Sequence, residues 1–106
     1  MKKIKYFYLI FFLSSNLLFV PVKADLIFEM GKTIFLEQGN CGTCHKLVDA
    51  KSNGQIGPNL NQLKPDIVRV ISVVTNGIGV MPSYEGVLST KEIHAVAHYV
   101  SISANQ

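Results

Sequence analysis

One run of five residues constrains this chain more than any other feature. Cys41-Gly42-Thr43-Cys44-His45 holds both cysteines of the protein and one of its three histidines. Residues i and i+3 of a helical turn project to the same side, so the two thiols are presented together. Placed that way they can reach two neighbouring vinyl groups along one edge of a porphyrin. The histidine that follows is carried under the ring, where its imidazole can ligate iron. C-x-x-C-H is the attachment spacing of a covalent c-type haem, so a chain built on it folds around a flat apolar group. Other chemistries use C-x-x-C. A redox dithiol needs a βαβ context, which this sequence does not show. A zinc site would draw at most three ligands from Cys41, Cys44 and His45, with His94 or His98 left to supply a fourth. A disulfide closed across two residues would be strained.

The first residues read as an export address. Met1-Lys2-Lys3-Ile4-Lys5 is a positive start, residues 6–20 are almost wholly apolar, and Pro21-Val22-Lys23-Ala24 ends in a small-residue cleavage site. Residues 1–24 are expected to be a cleaved signal peptide and residues 25–106 the mature domain, in a bacterial periplasm with no membrane span left. The alternative is an uncleaved anchor, for which the apolar run falls short of about 20 residues. The formal charge of +3 for the whole chain belongs to the leader. The mature part has six cations (Lys32, Lys46, Lys51, Lys64, Arg69, Lys91) against seven carboxylates (Asp25, Glu29, Glu37, Asp49, Asp66, Glu85, Glu92), a net of −1. Such a balance gives no reason to expect a nucleic-acid partner. A domain this small has a limited core and needs a staple, a part that a covalently held haem would fill, leaving the apo chain much less stable.

Helical periodicity dominates the mature chain, so the expected fold class is all-α. Leu26, Ile27, Met30, Ile34 and Phe35 form a 3.6-residue stripe in a helix over about 26–38, ended by Gly39-Asn40. The motif is expected in a short helical turn. Residues 51–59 read as a loop on their Ser, Asn, Gly and Pro content, with a short turn at 60–63. A second helix is predicted from Pro65, with Asp66 in its first turn, to Asn76-Gly77. Its β-branched content makes a strand the competing reading. Residues 77–84 form a glycine- and proline-bearing loop. A third helix is predicted over about 89–101, opened by the capping box Ser89-x-x-Glu92 and the staple Leu88–Ile93, with Ile93, Val96, Ala97 and Val100 as its buried face.

A second axial ligand would decide between electron transfer and small-molecule chemistry at the iron. The mature chain offers Met30, Met81, His94 and His98. Met81 is preferred: it lies in a loop, 36 residues after His45, and Pro82 keeps its backbone out of the helical region. Met30 has a packing reason to be where it is, in a helix. Histidine and methionine together would saturate the iron and raise its potential, which favours an electron carrier over a haem enzyme or gas sensor.

These residues resemble those of the class I c-type cytochromes across essentially the whole mature chain. Gly31-x-x-x-Phe35 resembles the small–aromatic pair of that family's first helix, and Tyr99 the aromatic of its last helix. Gly57-Pro58-Asn59-Leu60 is similar to its G-P-x-L loop, and Met81-Pro82 to its distal segment. The resemblance implies a cytochrome c-like fold of three main helices around one covalent haem c. It implies Cys41 and Cys44 as attachment points, His45 and Met81 as iron ligands, and Pro58 orienting His45 through its carbonyl. Leu60 and Tyr84 are expected as pocket walls. Residues 52–66 and 77–84 most resemble small monohaem cytochromes of bacterial sulfite dehydrogenases. The function so implied is single-electron transfer from a dehydrogenase, sulfite dehydrogenase among them, to a downstream cytochrome or oxidase, with no catalysis by the chain itself.

Overall fold

The computed structural model describes residues 23–106. The expected leader, apart from its last two residues, lies outside the described residues. Four α-helices are described: α1 (Lys23–Leu36), α2 (Leu60–Leu63), α3 (Ile67–Asn76) and α4 (Thr90–Ser103). A 3₁₀ turn covers Cys41–Thr43, and a two-stranded ribbon pairs β1 (Lys46–Leu47) with β2 (Ser52–Asn53) antiparallel. No described helix is long and apolar enough to cross a membrane.

α1 and α4 cross at the centre, and Gly31 is what lets them. A Cβ at Gly31 would collide with the Ala95 carbonyl oxygen and lie 2.6 Å from the Tyr99 Cβ. Tyr99 is fully buried there, with Phe28 and Phe35 edge-on to its ring at centroid distances of 5.0 and 5.7 Å. Edge-to-face contact suits the ring quadrupoles, so the crossing is held by three aromatic rings around one glycine. The expected stripe on α1 is half right. Ile34 and Phe35 are buried, Met30 is partly buried, but Leu26 and Ile27 are exposed and Phe28 packs in their place. Periodicity marked the right helix and slipped in phase by one residue over its first turn.

The caps explain the boundaries. Ser89 and Glu92 make both halves of the capping box, the Ser89 N–H donating to Glu92 Oε1 at 2.9 Å and the Glu92 N–H to Ser89 Oγ at 3.1 Å. Leu88 and Ile93 are both buried beside it. Ser103, at the end of α4, satisfies its buried hydroxyl on the Tyr99 carbonyl at 2.7 Å. α3 is a helix and not a strand, and it starts two residues later than its proline. Asp66 is the N-cap, accepting from the Arg69 N–H at 2.8 Å, and Pro65 precedes it. Aspartate at a cap satisfies an otherwise orphan N–H, which outweighs the β-branched content of Ile67 to Val74.

The ribbon corrects the loop expected over 51–59 at its start, where Ser52–Asn53 is a strand. Lys46–Leu47 and Ser52–Asn53 pair across a tight turn in which Lys51 takes a positive φ of 53°. Ser52 Oγ donates to the His45 carbonyl at 2.9 Å and accepts from the Leu47 N–H at 3.1 Å. α2 is capped by Asn59, whose side chain accepts from the Asn61 and Gln62 N–H groups.

Candidate cofactor site

Asn40 turns the chain at the end of α1 with φ 48° and ψ 39°. The 3₁₀ turn that follows is closed by Cys41 carbonyl bonds from the Cys44 N–H (3.2 Å) and the His45 N–H (2.9 Å). The motif is therefore wound as one turn, with both cysteines free and partly buried on it. Burial pushes the Cys41 thiol up to about 11, against the pull of its own backbone hydrogen bond and with a further push from Cys44. Cys41 is thus a neutral thiol packed against the apolar core.

His45 is fixed from two sides. Its Nδ1 donates to the Pro58 carbonyl at 2.8 Å, which leaves the lone pair on Nε2 as the atom able to bind a metal. Gly57 lies against the ring: a Cβ there would stand 2.5 Å from Cε1, 2.8 Å from Nδ1 and 2.9 Å from Nε2. The Gly57 N–H is itself held on the Cys44 carbonyl at 2.8 Å. A pair of free thiols on one turn, an imidazole with its outer nitrogen committed, and a glycine that makes room for that ring suit a covalent haem with histidine ligation. Among the described residues no cluster of three His, Cys, Asp or Glu side chains could hold a metal ion. His94 and His98 lie instead with Ile27, Met30, Ile67 and Lys91 along a groove of about 600 Å³ between α1, α3 and α4, which no residue of the motif lines. The fourth zinc ligand that they were to supply does not meet Cys41, Cys44 and His45.

The other expected residues fall around the motif. Leu60 is buried at the start of α2, and Met81 and Tyr84 are partly buried against the core. The segment carrying Met81 turns tightly, Ile78 and Met81 exchanging backbone bonds of 2.9 and 3.1 Å. Gly77, with φ 74°, permits that turn, since a Cβ there would stand 2.8 Å from the Met81 carbonyl oxygen. Tyr84 then reaches back, its hydroxyl donating to the Gly39 carbonyl at 2.9 Å across 45 residues of sequence. Burial raises the Tyr84 hydroxyl above its ordinary value, with smaller pushes from Cys41 and Cys44.

Sequence reasoning missed one polar anchor. The Tyr99 hydroxyl donates to Asp49 Oδ2 at 2.7 Å, and Lys32 pairs with the same oxygen at 3.2 Å. The Tyr99 bond, and then Lys32, hold the Asp49 carboxyl below its ordinary range, whereas burial and the carboxylate push the Tyr99 hydroxyl up. This ties the segment after His45 to both crossing helices. The spacing of glycines could have flagged the neighbourhood: a Cβ at Gly54 would come within 2.6 Å of the His45 nitrogen, and one at Gly42 within 2.8 Å of the Ser52 Cβ.

An α-helical domain with a thiol pair and an oriented histidine on one turn defines the protein class as a c-type cytochrome. The chain belongs to the cytochrome c family: residues 28–100 match the family described as cytochrome C oxidase, cbb3-type, subunit III. It is 32% identical over 80 residues to cytochrome c6 of Microcystis aeruginosa, covering 72% of this chain and 96% of that one. It is 42% identical over 87 residues to the cbb3-type cytochrome c oxidase subunit FixP of Bradyrhizobium sp. (strain ORS 278), covering 76% of this chain and 29% of FixP. Among solved structures it superposes on the c-type cytochrome SorU from Sinorhizobium meliloti with a TM-score of 0.74 and 49% identity, covering 77% of this chain and 95% of that one. The chain is thus a monohaem c-type cytochrome of class I, an electron carrier with one covalent haem c.

Proposed function

We propose that this cytochrome works in a bacterial periplasm, taking single electrons from a dehydrogenase and passing them to another cytochrome or an oxidase. Cys41 and Cys44 would hold the haem as thioethers, and His45 and Met81 would bind its iron. When bound, the haem supplies the one-electron iron couple. The chain's own residues keep that couple rigid and closed. Pro58 takes the Nδ1 proton of His45 into a 2.8 Å bond, which holds the ring in one orientation and keeps Nε2 basic. Leu60 and Tyr84 are apolar walls that keep water away. The observation that carries the reading is the His45–Pro58 bond beside the unpaired thiols, because it leaves the Nε2 lone pair available to a metal.

The likeness of residues 52–66 and 77–84 to the small cytochromes of sulfite dehydrogenases supports a sulfite-oxidising donor. The leader-like first 24 residues support export, and cleavage after Ala24 would trim two residues from α1 and leave Asp25 in its first turn. An acidic residue there suits the helix dipole.

The test is Met81→Ala in the exported holoprotein. Haem stays attached, the reduction potential falls, and the ferrous form binds carbon monoxide. An unchanged potential with no carbon monoxide complex refutes Met81 as a ligand. For the donor, affinity purification from periplasm should bring down a dehydrogenase, and recovery of no dehydrogenase would count against the proposed route.

A further inference from the structure

The loop that carries Met81 is fastened mostly to one element. The Gly77 N–H bonds to the Val73 carbonyl at 2.7 Å, Ser83 Oγ to the Thr75 carbonyl at 2.5 Å, and the Tyr84 N–H to the Val74 carbonyl at 2.9 Å. All three acceptors lie in the last turns of α3. Those bonds shape the loop and tie it to α3, and none of them reaches the motif. Among the described residues, the hydrogen bond from this loop that crosses to the attachment segment is the one from the Tyr84 hydroxyl to the Gly39 carbonyl.

Both ends of that bond are rigid. The Tyr84 carbonyl accepts from Leu88 at 2.9 Å and from Val87 at 3.0 Å, while its N–H is held by α3, so its backbone has no slack. Gly39 is held by its own N–H on the Ile34 carbonyl at 2.8 Å, and it is packed so closely on Cys41 that a Cβ would stand 2.9 Å from the sulfur. A partly buried hydroxyl with a fixed partner has little to gain from water when the bond breaks.

We propose that Tyr84 is a positioning residue: its hydroxyl latches the Met81 loop to the segment that carries Cys41, and so sets how often the distal side of the haem opens. The proposal rests on the reading of Met81 as the distal ligand. Tyr84 needs no contact with a redox partner in this role. It acts through Met81, by limiting the excursions that let a small external ligand in.

The test uses the ferric holoprotein and imidazole as the external ligand, with association followed by stopped flow. Tyr84→Phe keeps the ring and loses the hydroxyl, and should bind imidazole about three- to tenfold faster, the range that one net hydrogen bond implies. Tyr99→Phe is the control, since it removes a buried tyrosine hydrogen bond to Asp49, on the segment that follows His45. It should lower the urea midpoint and leave the imidazole rate within twofold. A Tyr84→Phe rate within twofold of the unsubstituted protein overturns the latch. So does an equal acceleration in Tyr99→Phe, which would make the effect one of general stability. Met81→Ala separates the two levels. If it binds imidazole at once while Tyr84→Phe is unaltered, the latch falls and the ligand stands. If Met81→Ala changes neither spectrum nor rate, the ligand assignment falls and takes the latch with it.

Discussion

Gly57→Ala places a methyl group against the histidine that the whole site depends on. The backbone at Gly57 is not in the left-handed region, which among glycines is taken by Gly77, Gly79 and Gly86, so alanine is acceptable to the main chain and the effect is steric. The new Cβ would lie 2.5 Å from His45 Cε1, where ordinary contact begins at 3.4 Å, so the gap must open by 0.9 Å (3.4 minus 2.5). Residue 57 cannot yield, because its N–H is bonded to the Cys44 carbonyl at 2.8 Å. The ring has to move, and a move of that size breaks a 2.8 Å bond to Pro58. Overpacking costs about 1–3 kcal/mol and the lost bond about 1 kcal/mol more. At roughly 4–8 °C per kcal/mol for a domain of this length, the melting temperature of the holoprotein should fall by at least about 8 °C. The potential should move too. An imidazole that no longer gives its Nδ1 proton to a carbonyl is a weaker donor to the ferric state, so the potential rises. A differential of about 1 kcal/mol corresponds to roughly 40 mV for one electron. Calorimetry and a spectroelectrochemical titration of the holoprotein read both quantities. A melting temperature within about 2 °C of the unsubstituted protein, with an unmoved potential, would refute the claim that Gly57 makes room for His45.

Replacing both Cys41 and Cys44 with alanine should abolish covalent haem by pyridine haemochrome and leave a chain with reduced helical circular dichroism; full helicity would contradict the stapling argument. Ser89→Ala removes the acceptor of the Glu92 N–H and should cost about 1 kcal/mol, seen as a lower urea midpoint. Asp49 has its carboxyl held down by Tyr99 and Lys32. Its stabilisation is therefore complete above the ordinary carboxylate value and is lost as the pH falls through the lower folded value. The stability gap between the unsubstituted protein and Asp49→Asn should be widest near neutral pH and close on acidification; a gap constant with pH would sink that assignment.

Much of the site was legible because its parts are local. The spacing of Cys41, Cys44 and His45 needs one turn of backbone to have meaning, and the structure winds that turn. Ser89 and Glu92 three residues apart made a cap legible for the same reason, and so did Asn76-Gly77 at the other end of α3. The errors are where burial, not spacing, decides. Leu26 and Ile27 looked like core and are exposed, while Phe28 was passed over and packs on Tyr99. A helix that contacts its neighbour mainly through its later turns does not bury its first one, and periodicity cannot see where the contact begins. Ser52–Asn53, the second strand of the ribbon, fell in the stretch 51–59 read as loop, because four paired residues carry too little pattern to stand out from a turn.

By itself, the sequence determined the chemistry: two thiols and an imidazole in one turn, a proline carbonyl and a methionine in the loops, and helices able to enclose a flat apolar group. Those properties follow from side-chain identity and near-neighbour spacing, which the chain order fixes. Tertiary structure alone decided which groups meet across distance. It set the Tyr84 hydroxyl on Gly39, the Tyr99 hydroxyl on Asp49, Gly57 under the His45 ring and Gly31 at the helix crossing. Each of those contacts joins residues brought together by packing of the α1–α4 pair and the loops that it anchors, and a contact between distant residues exists only once the core that draws them together has formed.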